Sequence, residues 1–505
     1  MLAWLVRYRS VWVFLVAFLA ASEFLSHYTQ MDDEAVLVYG AQRMLEGEKI
    51  YRDWDTHLAP GSFCLTALWS SVLGISLPFP RLLAALVAAS MGLTIDLAAR
   101  RLFTGWWSLM PALLWCCDGI MEFPILSYHW MATAWISAAL AVGLGWLEQP
   151  SRNRALLLGG CIASAGWTLQ SEGLVGVLML AFWMGRFRPA GSSWVLISLV
   201  VSSFLLWLPN LPEWPQILRQ NLDLGHHLAF NQNRYSLHNL QNFLSHYQGL
   251  SPSLGLGVYL GAGSHIVVNI LRYLGLPLLT LTCIGLCEWR KDRLGAALGY
   301  AMLAWLLGTA NRHTAVYLSF LNPGWFLLLS RCLWQIPGVA RWGLGLALLE
   351  VVGWGARYTL RAKSYIYPIT CRQGIYTSND PNEAASTQQL LQWLADLPPQ
   401  TPVLCFPYAT RLYPMAQLKN PIRRQTLVPH LEPDGAAQQA RQQIEKQQTD
   451  WLVYVGPDPL EIEADYGIPA AQVKSDWDQL RKQMTQGYVQ VQGGDHMGLY
   501  RRISP

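Results

Sequence analysis

The sequence predicts a polytopic α-helical membrane protein of about 11 transmembrane helices plus a surface helix, followed by a small C-terminal α/β domain. Three observations carry this reading. Of 505 residues, 52% are hydrophobic and 13% charged, a balance that excludes a disordered chain and argues against one ordinary soluble domain. Charge is also unevenly spread, with 40 charged residues among the first 360 and 28 among the last 145, so the chain divides near residue 360. Most of the 24 tryptophans precede that point, many near the ends of apolar runs (Trp106, Trp107, Trp194, Trp289, Trp342), as expected of indole rings at a bilayer interface.

Apolar runs that can cross about 30 Å of hydrocarbon, or nearly so with tilt and thinning, occupy 10–26, 79–100, 104–121, 128–147, 155–170, 173–185, 193–209, 264–287, 294–309, 314–333 and 339–359. The first, with Arg7 and Arg9 ahead of it, has the form of a cleavable signal. A long polytopic region follows, so it is read as an uncleaved anchor. A twelfth run, Leu58 to Leu77, either crosses or lies on the surface, and charge decides. With it on the surface, Arg7/Arg9, Arg100/Arg101, Arg152/Arg154, Arg186/Arg188, Arg290/Lys291/Arg293 and Arg331/Arg341 all fall on one side, the positive-inside pattern. The N-terminus is then cytoplasmic at a plasma (inner) membrane. The loops 27–78 and 211–263, a short turn at 122–129 and the domain 361–505 are exoplasmic or periplasmic.

The tail reads as alternating elements: a helix Ser386 to Leu397, a strand Val403 to Phe406, a helix near Ala436 to Gln448, a strand Trp451 to Val455 and a helix Asp476 to Met484. Such alternation predicts a small sheet with helices packed on it. Seven of the nine cysteines sit in apolar runs as small hydrophobes. Cys371 and Cys405 lie in the tail, where a disulfide between them is open outside the cell. The net charge of +4 gives no reason to expect a nucleic-acid partner.

The first outer loop, Met31 to Gly61, holds seven acids: Asp32, Asp33, Glu34, Glu46, Glu48, Asp53 and Asp55. Any one of them is accounted for as part of a solvated acidic loop. Asp33 and Glu34 stand apart by position, about one turn past the first span and at the start of an amphipathic helix through Leu45. Asp53-Trp54-Asp55 has the D-x-D form of nucleotide-sugar metal sites, but in a membrane-surface loop it reads as a solvated turn.

This loop resembles that of the GT-C superfamily of membrane glycosyltransferases, in its protein O-mannosyltransferase and aminoarabinose transferase branch. The match is carried by Asp33-Glu34, Tyr39, Ala41 to Gly47, Tyr51-Arg52-Asp53 and Pro60-Gly61, with looser echoes at Arg100 to Phe103, Asn311-Arg312-His313 and Leu412 to Pro421. It implies transfer of a sugar, with inversion, from a polyprenyl-phosphate carrier to an acceptor hydroxyl of a lipid, protein or glycan. The donor is a substrate, no covalently bound cofactor is expected, and a divalent metal is left open. In the resemblance Asp33 is the general base, and Glu34 is a supporting or acceptor-orienting group about 100° round the helix.

Cations must also balance the departing phosphate. Relatives often place a lysine just before the Pro-Gly, where this chain has Thr56, His57, Leu58 and Ala59. Arg312 is the leading substitute, with Arg52 and His57 behind it; Arg312 also fits an interfacial snorkelling side chain. His129, Tyr39 and Glu172 are candidates for acceptor or donor contact. For His129 the alternative is an interfacial hydrogen-bonding residue. Asp96 reads as an i,i+4 partner of Arg100, and Glu350 as a mid-span charge needing a role or a proton. The competing functions are a transporter or flippase of lipid-linked saccharides and a non-catalytic membrane scaffold.

Overall fold

The computed structural model describes residues 8–27, 32–56, 58–76, 78–117, 119, 125–222, 276–308, 320–335, 363–407, 409–428, 435–456, 470–494 and 496–503. Its first part is helical: α1 (Arg9–Ser22), α2 (Asp32–Leu45), α3 (Pro60–Leu73), α4 (Phe79–Leu102), α5 (Met110–Cys117), α6 (Tyr128–Glu148), α7 (Arg152–Thr168), α8 (Gln170–Phe187), α9 (Ser192–Trp207), α10 (Trp214–Leu222), α11 (Leu276–Trp289), α12 (Arg293–Gly308) and α13 (Asn322–Gln335). Three helices, Phe79–Leu102, Tyr128–Glu148 and the continuous stretch Ser192–Leu218, are long and apolar enough to cross a membrane. Arg9–Ser22, Leu276–Trp289 and Arg293–Gly308 are shorter apolar helices.

The expected count of eleven is therefore not reached among the described residues. The run 104–121 divides into a 3-10 turn, Gly105–Ser108, and the eight-residue α5. The run 339–359, with Glu350, lies outside the described residues. The run from Leu58 forms α3, opened by Pro60, whose fixed φ and missing N–H suit a first helical turn.

Small residues let the helices approach. Val13 and Ala17 of α1 pack at Gly92 of α4, where a Cβ would sit 3.4 and 3.3 Å from them, and Ala84, Ala85 and Ala88 of the same helix are buried. Trp115 of α5 donates its indole N–H to the Ala88 carbonyl at 2.8 Å, and Trp183 of α8 donates to Ala297 of α12 at 2.9 Å. An indole needs such an acceptor when buried.

One end of the bundle carries an ion-pair layer. Asp96 is fully buried and accepts from Arg9 Nε at 2.7 Å, Ser10 Oγ at 2.7 Å and Arg100 Nε at 3.0 Å. A buried carboxylate is tolerable only with such partners, and the expected pair with Arg100 is present with Arg9 added. Arg101 pairs with Glu148 at 2.5 Å. Arg186 pairs with Glu288, and Arg331 holds Asp292 and the Leu102 carbonyl. Among the described residues, Arg9, Arg100, Arg101, Arg186 and Arg331 thus share one layer of contacts.

The tail contains β1 (Tyr367–Cys371), β2 (Gly374–Ser378), α14 (Pro381–Trp393), β3 (Val403–Pro407), α15 (Leu412–Ala416), α16 (Ala436–Lys446), β4 (Trp451–Val455), α17 (Ala470–Thr485), β5 (Tyr488–Gly493) and β6 (Met497–Arg502). β1 and β2 form an antiparallel hairpin, and the others a sheet of order β3-β4-β6-β5 with β3 and β4 parallel. Cys371 and Cys405 are not joined, so the open disulfide is not formed. Cys405 is buried within β3 and Cys371 sits at the hairpin turn.

Candidate functional site

Helix α2 is the spine of the site. Acidic residues in its first turn suit the partial positive charge of a helix N-terminus, which explains why the chain becomes helical at Asp32. Asp33 is half-buried in that turn. Glu34 Oε1 accepts from Arg81 Nε at 2.5 Å and from the Leu126 N–H at 3.0 Å. Arg81, itself buried, also donates to the Phe24 carbonyl at 3.2 Å. One carboxylate therefore ties together the end of α1, the start of α4 and the approach to α6.

That junction brings two further candidates to the same end of the bundle. Three residues after Leu126 lies His129, buried in the first turn of α6. Its ring stacks on Phe320 with centroids 4.7 Å apart, and Ser127 caps the helix by accepting from the His129 N–H at 3.1 Å. Glu172 is buried in the first turn of α8. Gly61, in the first turn of α3, fits against the turn before α8, where a Cβ would sit 2.6 Å from the Trp167 carbonyl oxygen. The Pro60-Gly61 pair thus lets α3 press on the segment leading to Glu172. Gly308, which ends α12, lies against Val175, one turn after Glu172.

Tyr39 and Arg52 are placed elsewhere. Tyr39 is buried, stacked on Tyr413 of α15 at 4.6 Å, and its hydroxyl accepts from the Asn420 N–H at 2.7 Å. Burial raises its hydroxyl pKa well above the ordinary value. The Arg43 side chain, one turn on, pairs with Glu48 at 2.5 Å. Arg52 is largely exposed and pairs with Asp53 at 2.6 Å. That hydrogen bond, ahead of any other cause, holds the Asp53 carboxyl down at about 2. Arg312 and His57 lie outside the described residues.

Three further acids of the loop are turned to the tail. Glu46 accepts from Gln400 at 3.1 Å, Glu48 faces Lys419 at 3.6 Å, and Asp55 pairs with Arg423 at 2.8 Å. Arg423 also donates to the carbonyls of Arg52 at 2.5 Å and Tyr51 at 3.0 Å. Asp53 and Asp55 thus turn to different arginines, and Asp55 is docked on the tail where a solvated turn was expected. No cluster of three His, Cys, Asp or Glu side chains able to hold a metal occurs among the described residues.

Sequence reasoning missed Arg81, Asn420 and Arg423. Arg81 carried a signal, because it stands at the opposite end of its apolar helix from Arg100 and Arg101. Asn420 falls within the stretch Leu412 to Pro421, but neither it nor Arg423 revealed its partner, more than 360 residues away.

Among solved structures, ArnT from Cupriavidus metallidurans in the apo state matches with a TM-score of 0.55 and 13% identity, covering 99% of this chain and 98% of that one. The chain has the GT-C fold. ArnT bound to undecaprenyl phosphate matches over the same shares at a TM-score of 0.53 and 12% identity. The Archaeoglobus fulgidus oligosaccharyltransferase, in a complex with Zn and sulfate, matches at 0.52 and 14% identity over 87% of this chain and 67% of that one. Both are GT-C glycosyltransferases. No protein-family model and no curated protein matches the sequence.

Proposed function

We propose that the chain is an inverting glycosyltransferase that moves a sugar from a polyprenyl-phosphate carrier to an acceptor hydroxyl at the exoplasmic membrane face. Residues 1–360 form the transferase domain and 361–505 an exoplasmic domain that holds the loop. The observation that carries this reading is the end-to-end fold match to ArnT, a protein solved with undecaprenyl phosphate.

Asp33 takes the acceptor proton, because a neutral hydroxyl is a poor nucleophile and a positioned carboxylate is a competent base. Glu34 keeps the supporting role, acting through Arg81 and Leu126 to fix the turn in which Asp33 lies. His129 and Glu172 flank the substrates. Arg312 balances the leaving phosphate, since Arg52 is engaged by Asp53 and its backbone by Arg423.

The test is Asp33→Asn, assayed for transfer from a lipid-linked sugar. General-base assistance is worth about 100 to 10,000-fold, so a rate within about threefold of wild type would remove Asp33 from the role. Movement of the carrier across a vesicle without transfer would favour the transporter. A cysteine at the exposed Lys474, labelled only from the cytoplasmic side, would overturn the exoplasmic placement.

A further inference from the structure

At the end of the bundle opposite α2, the turn between α11 and α12 and the end of α8 enclose a cavity of about 290 Å³. Its charged lining is Arg186, Glu288, Lys291, Asp292 and Arg293. Both acids are already engaged. Glu288 takes two hydrogen bonds from Arg186, and Asp292 is held by Arg331 and by Gln335 Nε2 at 2.9 Å. Among the described residues, Lys291 and Arg293 have no carboxylate partner; Arg293 only lies over the Phe187 ring at 5.7 Å. Two uncompensated cations therefore face one cavity, and both side chains are exposed.

The neighbouring surface of α11 is apolar and open. Leu278 is 66% exposed and Trp289, at the helix end, 77%. Gly285 lies between them, with nothing within 4 Å of where a Cβ would be. Positions 278, 285 and 289 return to one helix face within about 20°, so the glycine leaves a notch in an exposed apolar stripe. Trp289, one position after Glu288, marks the interfacial depth that such indoles favour.

We propose that this cavity binds the phosphate headgroup of an anionic phospholipid through Lys291 and Arg293, with an acyl chain lying along α11 over Gly285. The apolar notch favours a lipid over a free phosphate ester, because a soluble ligand would make no use of it. The site is remote from α2 and stands whether or not the transferase reading does.

The test uses the full chain in neutral detergent, titrated with phosphatidylglycerol, phosphatidylcholine or glycerol 3-phosphate, with bound lipid read by native mass spectrometry and thermal protection. Basic residues near a membrane surface contribute about fivefold each in affinity for anionic lipid, so K291Q/R293Q should weaken phosphatidylglycerol binding about 25-fold. Gly285→Leu, at an exposed helical position that tolerates leucine, should also weaken it while leaving the cations in place. Equal phosphatidylglycerol binding by wild type and K291Q/R293Q would overturn the site. Protection by glycerol 3-phosphate as strong as by the lipid would overturn the lipid assignment.

Discussion

Arg423 should be the residue that fastens the first outer loop to the tail, and Arg423→Met tests this at the loop itself. The guanidinium makes an ion pair with Asp55 at 2.8 Å and donates to two loop carbonyls, Arg52 at 2.5 Å and Tyr51 at 3.0 Å. Hydrogen bonds from a charged donor are worth about 1.5 kcal/mol each at the low end, and a partly exposed pair adds under about 1 kcal/mol. With the arginine 38% exposed, roughly half of that sum survives solvent competition, about 2 kcal/mol. Local opening of the loop should rise about 30-fold. The Asp55 N–H, bonded to the Arg423 carbonyl at 3.0 Å, and the Tyr51 N–H, bonded to Trp54 at 2.9 Å, report on that opening. Hydrogen exchange at residues 51–55 should accelerate by this factor in Arg423→Met. In Arg441→Met, which loses a bond to the Met484 carbonyl within the tail, these amides should keep wild-type protection. Exchange within about threefold of wild type in Arg423→Met would refute the clamp.

Three further outcomes follow from the same geometry. Gly61→Ala forces a Cβ to within 2.6 Å of the Trp167 carbonyl oxygen; backbone cannot yield as a side chain does, so a loss of about 1–3 kcal/mol should appear as a lowered apparent melting temperature. Tyr39→Phe removes the acceptor of the Asn420 N–H and should cost about 1 kcal/mol, whereas Tyr39→Ala also opens a cavity and should cost about 3 kcal/mol or more; equal costs would deny the packing role. Asp53 titrates at about 2 in the folded chain, below its ordinary 3.8, so its pairing favours folding above pH 4 and is lost as pH falls toward 2. The stability difference between wild type and Asp53→Asn should narrow as pH falls from 4 through 2, and a difference that stays constant across that window would contradict the pairing with Arg52.

Much of the architecture was legible because burial imposes period. Apolar runs located the helices, and in the tail the fully buried β3 and the central β4 were found from short apolar stretches, β4 to the residue. What escaped was structure with weak patterning. β5 is an edge strand with no buried residue, and its Gln490 and Gln492 flank a register shift. The β1–β2 hairpin buries only Ile369, Tyr376 and Ser378. Half-exposed strands of this kind carry little of the alternation from which a strand is read. Span lengths were harder to read for a related reason: the stretch 104–121 is mostly apolar, but Gly105 adopts φ +62 and the helix restarts only at Met110. Composition records hydrophobicity and is silent on where a helix breaks.

The acidic loop shows why residue roles are harder to read than elements. Seven acids in thirty-one residues resemble one functional unit, yet helix geometry and the tail divide them. Around α2, Glu34 faces Arg81 and the start of α4, while Tyr39 and Arg43, four residues apart and so on one face, meet the tail at Asn420 and Ile422. Past the helix, Glu46, Glu48 and Asp55 are each matched by a polar or basic group of residues 400–423. A carboxylate whose lone pairs serve a buried arginine or a docking contact is poorly suited to take a proton from a substrate, because protonating it would cost the contact. This argument ranks Glu34, Glu46, Glu48 and Asp55 low as bases without reference to any relative. If Glu34→Gln abolished transfer more completely than Asp33→Asn while hydrogen exchange around Arg81 and Leu126 stayed at wild-type rates, the ranking would fail, because the Glu34 contacts would then be dispensable to the fold and its carboxylate needed for the chemistry.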